Sequence, residues 1–392
     1  MPIQREEIQR LREAFGFDSD SNDAVISHWV HAAGQPEEAH YGKILRALSG
    51  QKKLPKLSSA GKKFPFEAKG RKFTFIDLFA GIGGMRIAFQ NLGGRCVFSS
   101  EWDRFAQTTY STNFGELPFG DITQISTSDI PSHDVLVAGF PCQAFSIAGK
   151  RGGFEDTRGT LFFDVARIIK DKKPKAFLLE NVKGLMNHDG GRTIDTILRT
   201  LREDLGYFVP DPRIMNAKHF GVPQNRERVF IVGFKSKAAA DRFQYPNKSG
   251  KEHSISEILE TKAVGAKYYL SDRYLQTLID HKERHATKGN GFGYNILKNS
   301  DVANAIVVGG MGRERNLVVD KKQKNLIPTT KIQGSVNTQG IRRLTPREWA
   351  RLQGFPDNYL IPVSDAQAYK QFGNSVAVPA IGATAKQLLK AL

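Results

Sequence analysis

From Lys72 onward the chain alternates short apolar runs with stretches of helical period, and this rhythm restricts the fold more than any other feature. FTFIDLF (residues 73–79), RCVFSS (95–100), DVLVAGF (134–140), KAFLLENV (175–182) and RVFIVGF (228–234) each read as a buried parallel strand. Between them, LFFDVARIIKD (161–171) and IDTILRTLRED (194–204) carry apolar residues at helical spacing. Alternation of this kind predicts an α/β fold with a doubly wound sheet over residues 71–240. Residues 241–345 break the rhythm. They are rich in Gly, Asn, Thr, Lys and Arg without a clear period, and predict a smaller, irregular, mostly β domain. Residues 346–392 return to the first unit, with Gln371–Leu392 expected as a loop and helix against the sheet.

The N-terminal segment has a different texture. Residues 1–50 predict a small helical unit, with apolar residues at helical spacing over Arg5–Phe15, Ala24–Ala33 and Glu37–Leu48. ISHWV followed by QPEEAHYGKILRAL resembles the later helices of a repressor-type helix-turn-helix, in which Ser27 and His28 face a groove. A helical cap or a dimerisation element fits the same pattern. Residues 51–70 carry Lys52, Lys53, Lys56, Lys62, Lys63 and Lys69 and read as a basic linker.

Charge narrows the partners. Lys and Arg outnumber Asp and Glu by 57 to 40, a net +17 over 392 residues. Such a surplus favours a polyanion, because basic side chains release counterions from a phosphate backbone. No apolar run approaches the roughly 18 residues of a membrane span. The charged start lacks the apolar core of a signal peptide. Two cysteines, Cys96 and Cys142, cannot build a disulfide framework or a four-thiolate zinc site, and a reducing cytoplasm is the default.

The polar residues with chemical potential collect where strands end, which is where open α/β sheets bind ligands. The first strand runs into Asp77-Leu-Phe-Ala-Gly-Ile-Gly-Gly84, whose glycines admit a ligand close to the backbone. The second ends at Glu101-Trp102, a carboxylate suited to a ribose diol beside an indole suited to stacking on adenine. Asp121 follows in GDIT, placed to take the exocyclic amine of adenine. A dinucleotide fingerprint needs a third glycine where Arg86 stands, which disfavours a nicotinamide enzyme. A cofactor with adenosine and no phosphates fits better. Cys142, just past a strand and after Pro141, is placed as a nucleophile, whereas Cys96 inside a strand reads as a structural thiol. Glu180 at another strand end and the run Gln224-Asn-Arg-Glu-Arg228 supply a proton-transfer group and anion-holding arginines.

DLFAGIGG, EW, GDIT, GFPCQAFS, ENV, QNRERVFIVG, RRLTPREWARLQGFP and YKQFGNSVAVP occur in that order. Over residues 72–390 the chain resembles the bacterial cytosine-5 DNA methyltransferases of restriction–modification systems. The resemblance implies transfer of a methyl group from S-adenosylmethionine, leaving S-adenosylhomocysteine, to carbon 5 of a cytosine flipped out of duplex DNA. It implies Cys142, Glu180, Arg226 and Arg228 as the catalytic set, with no metal required. It puts cofactor contacts on Phe79, Gly81, Gly83, Glu101, Trp102, Asp121, Ile122, Pro141, Leu161, Asn374 and Ser375. The stretch Ser146–Asp156 resembles a mobile catalytic loop, with Ser146, Lys150 and Arg151 toward DNA. Residues 241–345 resemble a target-recognition domain, with Arg313 and Arg315 as candidates for guanine or phosphate. KERHATKGNGFGYNI (282–296) and ANAIVVGGMGRERNLVVD (303–320) are most similar to enzymes that methylate the inner cytosine of CCGG, and KGNGFGY is shared with readers of CC-any-GG and CC-(A/T)-GG. The expected assembly is a monomer on DNA, with promoter DNA as a second partner of the N-terminal unit. An RNA cytosine-5 methyltransferase and a DNA-binding regulator are the competing readings.

Overall fold

The computed structural model describes residues 64–66, 72–141, 161–287, 289, 293–309, 312–324 and 335–392. The helical stretches expected before residue 50, the linker apart from residues 64–66, Cys142 and the loop Ser146–Asp156 with Ser146, Lys150 and Arg151 lie outside the described residues.

Six strands form the main sheet in the order β2-β1-β3-β4-β7-β5. Strands β1 (Phe73–Leu78), β2 (Gly94–Ser100), β3 (Val135–Ala138) and β4 (Ala176–Val182) are parallel neighbours across it. Strand β5 (Arg213–Asn216) and strand β7 (Glu227–Phe234) complete it, and β7 runs antiparallel to both β4 and β5. The expectation that RVFIVGF is parallel is therefore corrected. The link from β5 to β7, residues 217–226, is shorter than the dozen or more residues of a parallel crossover, so β7 returns in the opposite sense. This reversal sets the N-terminal end of β7 beside the C-terminal end of β4, with Val182 opposite Arg228.

Alternation within each strand feeds two cores. Phe75, Val135, Val137, Ala176, Leu178 and Val232 point to one face, where helices α1 (Gly84–Asn91) and α9 (Val378–Ala391) cover them. Ile76, Leu136, Phe177, Leu179 and Ile231 point to the other, under α3 (Leu161–Lys172) and α4 (Arg192–Arg199). Each such buried Phe, Val, Leu or Ile contributes roughly 1.5–3 kcal/mol relative to exposure. Helix α2 (Arg104–Phe114) starts on Asp103, whose carboxylate accepts from the amides of Phe105 and Ala106. Short helix α5 (Lys237–Arg242) is tied to the end of α9 by Arg242, which donates to the Ala391 carbonyl.

The region after residue 241 departs from the expected mostly β texture. Its longest element is α6 (Asp272–Ala286), capped by Ser271. Only Leu275 and Leu278 of α6 are fully buried, packing with Leu270, Leu317 and Ile341 in a small separate core. The strands there are short: β8 (Ile296–Leu297), β10 (Leu317–Val319) and β11 (Ile341–Arg343) make one sheet. Two-residue strands β6 (Gln224–Asn225) and β9 (Ala303–Asn304) pair across to the main unit. Helices α7 (Pro346–Leu352) and α8 (Asp365–Asn374) lead back to α9.

RRLTPREW is the hinge pin of this return. Arg342, fully buried, pairs with Asp320 at 2.9 Å and with both oxygens of Glu348 at 2.8 Å. Glu348 also accepts from the amides of Thr345 and Glu260, and Thr345 caps α7 in return.

Candidate active site

The order β2-β1-β3 places the switch in strand order at β1, and the glycine turn leaves the sheet there. Phe79 and Gly81 adopt positive φ, 55° and 53°. Among the described residues nothing lies within 4 Å of where a Cβ on Gly81 would sit, which leaves room above the backbone of the turn. A Cβ on Gly83 would lie 2.3 Å from the Phe114 ring, which requires glycine where α1 begins.

Glu101, at the end of β2, is buried below this turn. Its carboxylate accepts from the amides of Gly81 and Asp103, each at 2.8 Å, and burial pushes its pKa up. Both oxygens keep lone pairs free to accept from a diol. The neighbouring Trp102 indole is 72% exposed, with a free face. Asp121 caps the short turn Ile122–Gln124, accepting from the Thr123 amide. Ile122 is buried and Leu161 half-buried at the start of α3. Opposite the glycines, the Ser375 hydroxyl stands 3.0 Å from where a Cβ on Gly84 would sit, with Asn374 exposed beside it. An open glycine cradle, a buried carboxylate, a free indole and a hydroxyl together fit a nucleoside carrying an amino-acid tail, and nothing in the turn is arranged for pyrophosphate.

Arg86 explains the missing third glycine. It is fully buried, pairs with Glu116 at 2.5 and 2.8 Å, donates to the Tyr110 hydroxyl at 2.8 Å and lies 4.5 Å from the Phe114 centroid. It fills the helix–sheet contact that a dinucleotide fold leaves to glycine. Cys96 is buried beside it, and burial pushes its thiol up to about 12, as fits a structural thiol.

Next to this cradle lies a second cluster, built by the reversal of β7. Glu180, two residues before the end of β4, is 8% exposed, and its Oε1 lies 3.1 Å from Nε of Arg228. Among the described residues its carboxylate accepts no hydrogen bond beyond this ion pair. Burial raises its pKa, against the pull of Arg228 and then Arg226. A Cβ on Gly139 would sit 3.7 Å from Glu180 Oε2, so the strand that leads into Pro141 and Cys142 passes beside the carboxyl. Asn181 fixes that strand end by donating to the Phe140 carbonyl at 2.9 Å.

Arg226 points the other way. Its guanidinium is buried and donates to the carbonyls of Ile306 (2.9 Å), Gly373 (3.2 Å) and Ser375 (2.6 Å), while Nε has no partner. Burial, then Arg228, brings its pKa down to about 9, against the opposing charge of Glu180, so it stays protonated at neutral pH. Arg313 and Arg315 are exposed on the second region, and Arg313 stacks over the Tyr369 ring at 5.3 Å. The site thus gathers Glu180 and Arg228 directly and Arg226 behind them. Asn181 and Gln353, not singled out by the motifs, also tie the loops through buried amides, as does Gln224; a polar amide next to apolar residues in LLENV and RLQGF is the signal for the first two.

Residues 73–390 match the family model described as C-5 cytosine-specific DNA methylase. The chain belongs to the C-5 cytosine-specific DNA methylases. This methylase is 68% identical over 323 residues to the type II methyltransferase M.HpaII of Haemophilus parainfluenzae, covering 82% of this chain and 90% of the relative. It is 49% identical over 388 residues to the type II methyltransferase M.SsoII of Shigella sonnei, covering 98% and 94%. Its fold matches a methyltransferase of Entamoeba histolytica, EhMeth, with a TM-score of 0.62 at 21% identity over 82% of this chain and 98% of that one. The methylase acts on double-stranded DNA and takes its methyl group from S-adenosylmethionine. Among the described residues no helix is long and apolar enough to cross a membrane.

Proposed function

We propose that this methylase modifies the inner cytosine of CCGG in cytoplasmic DNA, acting as a monomer, and protects its host from a cognate endonuclease. Residues 71–240 and 346–392 carry catalysis and cofactor, and residues 241–345 read the sequence. The observation that carries the chemistry is Glu180: a buried carboxyl of raised pKa, held among the described residues by Arg228 alone, beside the strand that leads toward Cys142. Phe79, Gly81, Gly83, Glu101, Trp102, Asp121, Ile122, Pro141, Leu161, Asn374 and Ser375 hold S-adenosylmethionine, which when bound supplies an electrophilic methyl group.

The reaction follows from these residues. Cytosine leaves the stack so that carbon 6 is reachable. The Cys142 thiolate bonds to carbon 6 while Glu180 gives its proton to ring nitrogen 3, which keeps the adduct neutral. Arg228 holds Glu180 and the pyrimidine oxygen. Carbon 5, now electron-rich, would form the new bond to the methyl group as the methyl–sulfur bond of the bound cofactor breaks, leaving S-adenosylhomocysteine. Water takes the proton from carbon 5, the bond to Cys142 breaks, and nitrogen 3 returns its proton to Glu180. Arg226 supports these groups from behind, and Ser146, Lys150, Arg151, Arg313 and Arg315 face DNA.

The test is expression in a host lacking cytosine methylation, followed by bisulfite sequencing. Methylation confined to CCGG, lost in Cys142→Ala, supports the proposal. Methylation at CC-any-GG or CC-(A/T)-GG overturns the target, and none from folded protein overturns the reaction.

One observation favours a second role for residues 1–50. M.SsoII aligns over 98% of this chain, and so includes them, whereas M.HpaII aligns over 82%. A segment present in one relative's alignment and dispensable to another's extent suits a separable unit binding promoter DNA. Full-length protein then retains a promoter fragment that a version starting at residue 71 releases. Equal retention by both removes this role.

A further inference from the structure

We infer that Arg226 is a positioning residue through which cofactor binding and target-sequence binding strengthen one another. This rests on the reading above, in which residues 241–345 meet the target and Asn374 and Ser375 meet the cofactor. One guanidinium holds main-chain carbonyls from both sides: Ile306 on the segment that leads to Arg313 and Arg315, and Gly373 and Ser375 at the C-terminal end of α8, facing the glycine turn.

Two glutamines complete the knot. Gln224 accepts from the Ile306 amide at 3.1 Å and donates to the Leu352 carbonyl at 2.8 Å. Gln353 donates to the carbonyls of Phe372 (2.8 Å) and Ser375 (3.1 Å), and accepts from Gln224 at 3.2 Å. The two segments also touch directly. A Cβ on Gly373 would lie 2.8 Å from Val308 Cγ2 and 3.3 Å from the backbone of Val307 and Val308, so only glycine allows this approach.

The arrangement is poor as a device for stability alone. A buried cation is ordinarily paired with a bonded carboxylate. Here the bonds go to carbonyls only, and Nε stays without a partner in the interior. What the geometry does provide is rigidity between two ligand-facing segments, two residues before Arg228. Movement of Ile306 on DNA engagement is felt at Ser375, and ordering of Ser375 by cofactor is felt at Ile306. Coupling of this kind is reciprocal by thermodynamic necessity and is measured as a factor on either affinity.

The experiment uses the full chain, S-adenosylhomocysteine as the cofactor probe, and two duplexes: the sequence methylated in the host, and a scrambled one. Expected for the wild type is tightening of the first duplex alone by the cofactor, in the range of about 5–150-fold. In Arg226→Lys, which keeps the charge and the stem, this factor drops to about twofold or less while the scrambled duplex binds as before. Gln224→Met, which loosens Ile306 by another route, lowers the same factor and decides the matter if Arg226→Lys does not fold. Full enhancement in the folded variants, no enhancement in the wild type, or equal losses on both duplexes overturns the inference. Glu180→Gln separates the two ideas: it keeps the factor and loses methylation. If Glu180→Gln methylates normally, the assignment of reacting groups fails while the coupling stands.

Discussion

The methylase buries two clusters of arginine and carboxylate that mirror one another. At the return into α7, one arginine, Arg342, sits between two carboxylates, Asp320 and Glu348, and every contact is a hydrogen bond of 2.8–2.9 Å. At the end of β4, one carboxylate, Glu180, has among the described residues a single 3.1 Å ion pair, to Arg228, with Arg226 buried behind it and its Nε without a partner there. The first cluster has satisfied its polar groups internally, and its work is to fix one region against another. The second has unused donors, a raised carboxyl pKa and a surplus of positive charge, which is the condition of a site awaiting a ligand. Burial alone does not distinguish structure from chemistry here. The completeness of pairing does.

The sharpest way to break this contrast is Glu180→Gln. If Glu180 gives a proton to the base, single-turnover methylation falls by about 10²–10⁴-fold with DNA affinity preserved, since that is the range for positioned acid–base groups. A loss confined to DNA binding makes Glu180 a contact and not an acid. Glu348→Ala is the reciprocal change in the saturated cluster. It strips Arg342 of two bonds and removes the carboxylate half of the α7 capping box. Breaking a buried pair from one side costs about 3–5 kcal/mol, so chemical denaturation should show a loss of that order. Methylation per folded molecule should stay near that of the wild type, and a selective loss of methylation in a stable protein blurs the distinction.

A third group tests whether incomplete pairing always marks the reaction site. Asp77, at the end of β1, is buried, its Oδ2 has no partner, and burial pushes its pKa up to about 8 against the attraction of Arg86. Its folded value lies above the ordinary 3.8. The sign follows: its contribution to stability is fully present below about pH 4 and is lost as pH rises through about 8. Asp77→Asn removes that dependence. Between pH 6 and pH 9 the melting temperature of the wild type should fall relative to the variant, and parallel curves for the two proteins mean that Asp77 does not titrate there.

How much of this was legible beforehand divides along physical lines. The glycine turn, Glu101, Glu180 and Arg228 stand at strand ends, and strand ends are visible as the edges of apolar runs. The direction of β7 was not visible, because an apolar run looks the same from either end. Yet that direction is what brings Arg228 to Glu180. The inward course of Arg226 was also hidden. Its carbonyl partners lie 80, 147 and 149 residues away, and no local pattern announces such a meeting. Helix α6 escaped because its polar residues outnumber the buried pair Leu275 and Leu278, which leaves too narrow an apolar stripe to stand out.

The smallest effect expected concerns the cofactor side of the open site. Trp102 is 72% exposed, so its removal leaves no cavity and no orphaned polar group in the free protein. Any loss must come from the ligand. Aromatic stacking is worth about 0.5–1.5 kcal/mol, so Trp102→Ala should raise the dissociation constant for S-adenosylhomocysteine by roughly twofold to twelvefold. Thermal stability and the saturated single-turnover rate should be unchanged, because neither Glu180 nor the glycine turn depends on the indole. Equilibrium dialysis reads the first quantity and rapid quench the second. A weaker cofactor with an intact rate keeps Trp102 as a binding surface only. A falling rate at saturating cofactor makes the indole part of how the methyl group is aimed, and the reacting site then extends further along the sheet edge than Glu180 and Arg228 mark out.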